Sequence, residues 1–370
     1  MADTQKHIVI NALHAKTGGG LIFLNHLLPL ISKDKALKFT IIAHEKYAAR
    51  LSVPKNIKLE VVDFEGGFFK TVLWEQFKLP SLVRVLGGEI TFNMANFCPI
   101  MAPKPVVYVT NNPEVRHYTK HFSMKVYWLV LIWMTRLSLL VSPRSFSNGD
   151  YIKKVYASGI WCFLQKKMVK ATTACDLVAD KKIIKKKGQI VAIGDFYSQK
   201  NYDVLVKAFA EVVQKRPDAK LIIIGREVYK DVYEQVKYLI DLLKLEKSVE
   251  LKGFVAHDAV KKILAESEVY VSPSDAETFS LTLLEAMMLG TASVVRDYPF
   301  QHEVAREGGA EYVALTTCSK SQVRLFAQGM LHVLDDNKHR KALIKNGFDI
   351  SSEYSWQKTA DTICQNLKEL

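Results

Sequence analysis

Short apolar runs alternate with longer amphipathic segments almost from end to end, and the alternation happens twice. In the first half, residues 7–12 (HIVINA), 39–43, 59–62, 89–93 and 106–110 read as buried strands, with helical patterns such as 20–31 and 72–86 between them. Strand–helix–strand repetition implies a parallel sheet, because parallel neighbours need a crossover that lies on one face. The pattern restarts at 189–194 (QIVAIG), with a helix over 202–214, a strand at 220–225, a helix over 229–243, strands at 249–253 and 269–273, and a helix around 283–288. The expectation is an α/β chain of two doubly wound, Rossmann-like units in series. Between them, residues 166–187 hold eight lysines and little apolar periodicity, and read as a basic linker. The expected limits are 1–165 for the first unit, 166–188 for the linker, 189–350 for the second unit and 351–370 for a last helix. Two such domains facing each other place a cleft between the carboxyl ends of their sheets.

Charge narrows the partners. Lys and Arg number 51 against 38 Asp and Glu, a formal +13, so the surface attracts nucleic acid, anionic lipid or phosphorylated ligands. No recognised nucleic-acid module or basic–aromatic stacking motif appears, and charge alone supports that alternative. Five cysteines (98, 162, 175, 318 and 364) are odd in number and lack paired metal spacing, which fits a reducing compartment. The opening residues 1–6 are polar, and the apolar run 7–13 reads as a first strand rather than a signal peptide. The most membrane-like stretch, 126–141 (VYWLVLIWMTRLSLLV), has Arg136 inside. It falls short of the roughly 20 apolar residues of a span. A buried or half-buried helix is expected there, with insertion into one lipid leaflet as the second reading.

Three segments suit an anionic ligand. In HAKTGGG (14–20), Gly18, Gly19 and Gly20 lead into a helix whose start offers free N–H groups. Leu21, Ile22 and Phe23 deny the dinucleotide spacing, and no Gly-Lys-Ser/Thr ending makes it a P-loop; the plain alternative is a tight turn. In IGDFYSQKNYD (193–203), Gly194 ends a strand, Lys200 follows six residues later and Asn201 begins a helix. A lysine there neutralises a diphosphate, unless it is simply solvated. In SPSDAETFSLTLLEAMMLG (272–290), a loop carries Asp275 and Glu277 and a helix is expected from near Phe279. The amides of Phe279, Ser280 and Leu281 then face phosphate oxygens. Glu285 follows Glu277 at roughly 80° on a helical wheel, so both carboxylates face one cleft. The plain alternative is a cap plus a surface glutamate, but an unpaired carboxylate on so apolar a helix is costly.

Residues 189–313 resemble the donor domain of the retaining GT-B glycosyltransferases of family four. The Glu, seven residues, Glu-Ala-Met pattern with a nearby glycine is matched by Glu277, Glu285, Ala286, Met287 and Gly290. The strand-Gly, five residues, Lys-Asn element is matched by Gly194, Lys200 and Asn201, and the Glu-Val pair by Glu303 and Val304. In the first half, the glycine turn, Trp74-Glu75-Gln76 with Leu79-Pro80, and Asn111-Asn112-Pro113 resemble a subgroup that builds mannose- or rhamnose-containing surface polysaccharides. Tyr354-Ser355-Trp356 fits a last helix that crosses back to the first domain.

The resemblance implies roles. Lys200 and Glu277 are the catalytic pair, Lys200 on the donor diphosphate and Glu277 on the transferred sugar. Glu285 holds the ribose hydroxyls, the 279–281 amides cradle phosphate, and Gly194, Gly19 and Gly20 complete the donor site. Asn111, Asn112 and His117 are the acceptor candidates, and His14 and His121 are further histidines that could face the acceptor. Three departures stand out. Asp195 replaces the family's arginine, with Arg226 or Arg296 as the substitute cation; Ser280 replaces a glycine; and TTACDLVAD (172–180) replaces the usual Asn-Gly-Val-Asp junction. The implied activity is retaining transfer of a hexose from a nucleoside-diphosphate sugar, of the GDP-mannose or rhamnose type. The acceptor is a lipid-linked or polysaccharide glycan in lipopolysaccharide, O-antigen or capsule synthesis, and no metal or other cofactor takes part. Retention in this class is explained by front-face attack, with the leaving phosphate helping to deprotonate the acceptor. The implied location is cytoplasmic, at the anionic inner membrane face, with no nucleic-acid partner. The alternatives are a polyanion-binding protein and a nucleotide-sugar epimerase of similar two-domain fold.

Overall fold

The central strands of the first half carry apolar residues on both sides, and the structure buries both. The computed structural model describes residues 5–15, 19–64, 67–180 and 182–370. The first sheet holds β1 (Lys6–Asn11), β2 (Leu37–His44), β3 (Lys58–Val62), β4 (Ile90–Asn93), β5 (Pro105–Val109), β6 (Ser145–Ser147) and β7 (Met168–Lys170). All pairings are parallel, in the order β3-β2-β1-β4-β5-β6-β7. The winding reverses between β1 and β4, so the connections leaving these two strands diverge and open a crevice at their carboxyl ends. There the register sets Asn11 beside Asn93.

The second sheet holds β8 (Lys186–Ile193), β9 (Lys220–Ile224), β10 (Val249–Leu251), β11 (Ser267–Ser272), β12 (Ala292–Arg296) and β13 (Glu311–Val313), again parallel, in the order β10-β9-β8-β11-β12-β13. Its reversal lies between β8 and β11. Side chains two apart share a face: Ile190, Ala192, Leu221, Ile223, Val269 and Val271 pack with Phe209 and Phe326. Val191, Ile222, Ile224 and Tyr270 turn to the opposite side, against Leu283, Leu284 and Met287. Each such buried side chain contributes about 1.5–3 kcal/mol, so a one-residue slip would exchange the two faces and misfit both.

Several boundaries differ from the sequence pattern. The single helix expected over 72–86 is two helices, Phe68–Phe77 and Leu79–Val85. Pro80 lies in the first turn of the second, where its missing N–H is harmless, but it cannot donate back into the first. The apolar helix expected from 126 starts at Phe122 and runs to Val141, with only Leu131, Ile132, Thr135, Ser138 and Leu139 buried. Residues 166–188 contain β7 and the start of β8; lysines flanking short strands hid both.

Contacts divide the chain into two units. The first comprises the chain up to Arg116, His121–Ala174 and Ser355–Leu370; the second comprises His117–Lys120 and Cys175–Tyr354. The last helix, Trp356–Lys368, is part of the first unit. Ser355 caps it, its hydroxyl accepting from the Lys358 N–H at 3.2 Å. Trp356 is buried edge-on to Phe23 and stacked on His26 at 4.8 Å, and Thr359 donates to the Thr172 carbonyl at 2.6 Å. Trp356→Ala empties that socket, and urea unfolding should show the first unit destabilised by about 3–5 kcal/mol.

Candidate functional site

In a doubly wound sheet the ligand crevice lies where the winding reverses, and in the second unit the loops leaving β8 and β11 meet there. β8 ends at Gly194, whose φ of +152° suits glycine. A Cβ at that position would come within 2.9 Å of the Lys200 ammonium, so Lys200 folds back across the end of the strand. The Tyr202 hydroxyl donates to the Gly194 carbonyl at 2.7 Å. Asn201 takes a left-handed conformation, φ +49°, which asparagine tolerates better than most residues.

The two loops are locked together. The Asp275 N–H donates to the Gln199 carbonyl at 2.9 Å, and the Asn201 amide donates to the Pro273 carbonyl at 3.1 Å and to the Asp275 carboxylate at 2.6 Å. The other Asp275 oxygen accepts from the buried guanidinium of Arg296. Burial pushes the Asp275 carboxyl above its ordinary value, and Arg296 and Asn201 pull it back only in part. Across this clamp, Lys200 Nζ pairs with Glu277 Oε1 at 2.5 Å, both side chains about one-fifth exposed. The sequence singled out Lys200 and Glu277 separately; the structure brings them into contact.

Glu285 stands apart in character. It lies on the helix Leu281–Met288 and has no hydrogen-bond or ion-pair partner among the described residues. Burial pushes its carboxyl up to about 7, offset only in part by Lys261. The buried phenol of Tyr270 feels the charges of both Glu277 and Glu285, which places both carboxylates near one strand end.

Two expectations need correction. The helix begins at Leu281, not near Phe279, and the Leu281 N–H is taken by the Phe279 carbonyl at 2.8 Å. Of the three amides expected to face phosphate, that of Leu281 is thus taken, while the helix's own open first-turn donors belong to Thr282 and Leu283; Phe279 and Ser280 are buried just ahead of it. Glu277 precedes the helix, so the helical-wheel relation to Glu285 does not apply, and the loop sets its direction instead. Arg226 is held bidentate by Asp195, with Nη2 to Oδ2 at 2.6 Å, and its own N–H donates to Oδ1 at 2.9 Å. Burial works against the Asp195 charge, but the Arg226 bonds win and hold its carboxyl below the ordinary range. Arg226 and Arg296, the candidate substitute cations, thus each already face a carboxylate.

In the first unit, Gly19 and Gly20 open the helix Gly19–Ile31, while Gly18 lies outside the described residues. No atom lies within 4 Å of a Cβ built on Gly19, so the fold itself does not require glycine there. Asn111 is half-buried, its N–H donating to Asn96 Oδ1 at 2.9 Å. Asn112 is buried and caps its own turn through the Glu114 N–H at 3.0 Å. His117 is exposed and belongs to the second unit. A polar cluster occupies the crevice between β1 and β4: Asn11, His14, Glu75 and Asn93; the sequence had singled out His14 and Glu75 separately, and Asn11 and Asn93 not at all. For a metal, the described residues offer one group of three ligands, Glu311, His332 and His339, on β13 and the helices that flank residue 336; it shares no residue with either crevice.

Residues 176–349 match the family model described as glycosyl transferases, group 1. The match spans 174 of the 370 residues. It coincides with nearly the whole continuous part of the second unit, clamp and carboxylates included. An uncharacterized glycosyltransferase of Methanocaldococcus jannaschii is 30% identical over 172 residues, 46% of this chain and 42% of that protein. Phosphatidyl-myo-inositol mannosyltransferase of Mycobacterium tuberculosis is 27% identical over 166 residues, 45% of this chain and 42% of that one. These matches thus span about two-fifths of the curated relatives' length. The fold extends further: the crystal structure of Anabaena HepE in complex with UDP superposes with a TM-score of 0.76 at 15% identity, over 99% of this chain and 100% of that one. Both units therefore have the Rossmann-like sheets of the GT-B fold.

The second unit carries an internal pH signature. An acid whose folded value is raised keeps its proton longer when folded, so the Glu285 contribution to stability falls as pH rises from about 4.5 to about 7. Glu285→Gln should be more stable than the wild type at pH 8, with the gap closing towards pH 5, in urea melts at the two pH values.

Proposed function

We propose that this protein transfers a hexose from a nucleoside-diphosphate sugar to a glycan or lipid-linked acceptor, with retention at the transferred carbon. The observation that carries the reading is Glu285, a carboxylate held largely out of water with no hydrogen-bond donor of its own. A ribose cis-diol supplies two donors and makes good the lost hydration. The Lys200–Glu277 pair supports the same reading. A diphosphate competes for the ammonium, and Glu277, released from it, accepts from hydroxyls of the transferred sugar. Charge on the leaving group is then met by Lys200 and by the open amides of the helix Leu281–Met288, with no metal required. Gly19, with no atom of the described residues within 4 Å of a Cβ built on it, leaves room for a ligand to approach the backbone. The donor is of the GDP-mannose or rhamnose type and the product belongs to a surface polysaccharide; both follow from the first-half motifs.

A lipid-linked acceptor is supported by the first unit's surface. Along the helix Phe122–Val141, Phe122, Val126, Leu129, Val130, Trp133 and Leu137 form an exposed apolar stripe at helical spacing. Trp133 continues it onto Trp161 at 5.9 Å, beside exposed Ile160 and Phe163. Residues 115–175 carry ten Lys and Arg against the single carboxylate of Asp150, nine of the chain's thirteen excess positive charges. An apolar stripe edged by one sign of charge fits an anionic leaflet better than nucleic acid, which offers nothing for the stripe. The proposed location is the inner face of the cytoplasmic membrane, a reading this surface supports.

Thermal shifts with UDP and GDP test the donor reading. A nucleotide at 100 times its Kd adds about 2.7 kcal/mol. One of the two should stabilise the wild type, Glu285→Ala should lose the response, and affinity should weaken below pH 7 as Glu285 takes up its proton. No shift with either nucleotide overturns the reading. Sedimentation with vesicles tests the surface: binding should require phosphatidylglycerol in the phosphatidylcholine bilayer, fall with salt, and drop at least tenfold in Phe122→Ser/Trp133→Ser.

A further inference from the structure

Two histidines and a glutamate meet at the end of the second sheet that faces away from its crevice. Glu311 is the first residue of the edge strand β13, whereas the crevice lies at the carboxyl ends of the strands. It shares a face with Val313, which joins Phe326 of the helix Ser319–Asp335 in one buried cluster. His332 lies in the last turn of that helix, and His339 lies near the start of the next, Asn337–Ser351. On one unbroken helix, residues seven apart would stand roughly 10 Å apart along the axis. The chain leaves helical geometry at Asp336, φ −93° and ψ +92°, whose carboxylate caps the second helix by accepting from the His339 N–H at 2.9 Å. This break lays the two imidazoles face to face, with centroids 4.2 Å apart and planes 10° from parallel.

Both rings turn an edge to the same carboxylate. His332 Nδ1 lies 3.2 Å from one Glu311 oxygen, and His339 Nε2 lies 2.8 Å from the other. The three ligand atoms all lie within 4.8 Å of one another. Donors of one tetrahedral zinc, each about 2.0–2.2 Å from it, stand roughly 3.4 Å apart, so small ring rotations that open the stack bring all three onto one ion. Charge favours a cation there. Among the described residues no Lys or Arg pairs with Glu311, and Asp336 adds a second carboxylate that interacts with the charge of both rings. An open pocket of about 560 Å³ lies beside His332 and Asp336; Lys215 lines it too but pairs with neither carboxylate among the described residues. The donors are therefore reached from solvent. Two imidazoles and a carboxylate suit zinc and its neighbours among the first-row divalent metals, while magnesium and calcium prefer oxygen alone.

We infer that Glu311, His332 and His339 hold one divalent transition-metal ion of the zinc class, with water completing its coordination. An imidazole coordinates through a lone pair, so the ion displaces whatever proton the facing nitrogen of each ring carries. The role is structural: one ion ties the edge strand to both helices at the break between them. The second of these helices runs on to Gly347 and Phe348, which pack against Met287 and Gly290 at the end of the helix Leu281–Met288. The ion thus steadies the helix that backs the Glu285 helix and takes no part in the transfer itself. The inference stands independently of the transferase reading.

The test uses the full chain without a histidine tag, stripped of metal with EDTA. Calorimetry with ZnCl₂ should show one equivalent bound with a micromolar Kd or tighter. His332→Gln, His339→Gln and Glu311→Gln should each weaken it at least tenfold. His302→Gln should not, although His302 also faces carboxylates, those of Asp297 and Glu307. Saturating ZnCl₂ should raise the melting temperature of the wild type but not of His332→Gln/His339→Gln, and MgCl₂ should move neither. One equivalent of Co²⁺ in the wild type should give the visible bands of a four-coordinate site, without the thiolate charge-transfer band that exposed Cys162 or Cys318 would add. That spectrum needs no variant, so the test holds even if a variant fails to fold. Zn²⁺ binding no tighter than millimolar, a thiolate band at one equivalent, or an affinity kept within twofold in the double variant overturns the inference.

Discussion

The second unit's crevice depends on one carboxylate that never needs to touch a ligand. Parallel pairing of β8 with β11 forces the loops that follow them in opposite directions, and nothing in the sheet itself holds those loops at a common distance. Asp275 does so, taking the Asn201 amide on one oxygen and Arg296 on the other while its N–H is bonded to Gln199. Lys200 and Glu277 are neighbours because the residues beside them in each loop, Asn201 and Asp275, are tied together. The left-handed turn at Asn201 and the glycine end of β8 are the local backbone terms that this clamp imposes.

Both sheets place polar chemistry at the same topological point and handle it in opposite ways. In the second unit the carboxylates are left with unfinished business: Glu277 shares a cation that a stronger anion can take, and Glu285 has burial without hydrogen bonds. In the first unit the buried carboxylate of Glu75 is satisfied by Asn11 and His14, and what remains open is the far side of the imidazole. An unsatisfied carboxylate recruits hydroxyl donors; a satisfied one ties together the segments that meet at its crevice. The physical difference is whether the desolvation cost is met by the protein or by a ligand.

Much of this was legible in the chain. Short apolar runs alternating with helical segments identified parallel strands, and the Gly194–Lys200–Asn201 and Glu277–Glu285 spacings pointed to segments that meet at the reversal of the second sheet. Prediction failed where local pattern and tertiary role diverged. β7 and the lysine-rich first residues of β8 looked like a linker, Pro80 split one helical pattern into two helices, and the helix start moved from Phe279 to Leu281 because the Leu281 N–H turned back onto the loop. Arg226 looked like a free cation because its partner Asp195 lies on a neighbouring strand end, thirty-one residues away.

The sequence by itself determined the number of parallel units, the faces of their strands and the residue types at each strand end, since these follow from periodicity and from which residues tolerate burial. It also determined the excess of positive charge between residues 115 and 175. Only the tertiary structure decided which charges meet. Asn11, Glu75 and Asn93 lie far apart in the chain, and no local rule pairs them; they come together because β1 and β4 are adjacent across the reversal of the sheet and the helix Phe68–Phe77 carries Glu75 to that edge. Hydrogen bonds between side chains of distant segments depend on strand order, and strand order is fixed by packing the whole sheet at once.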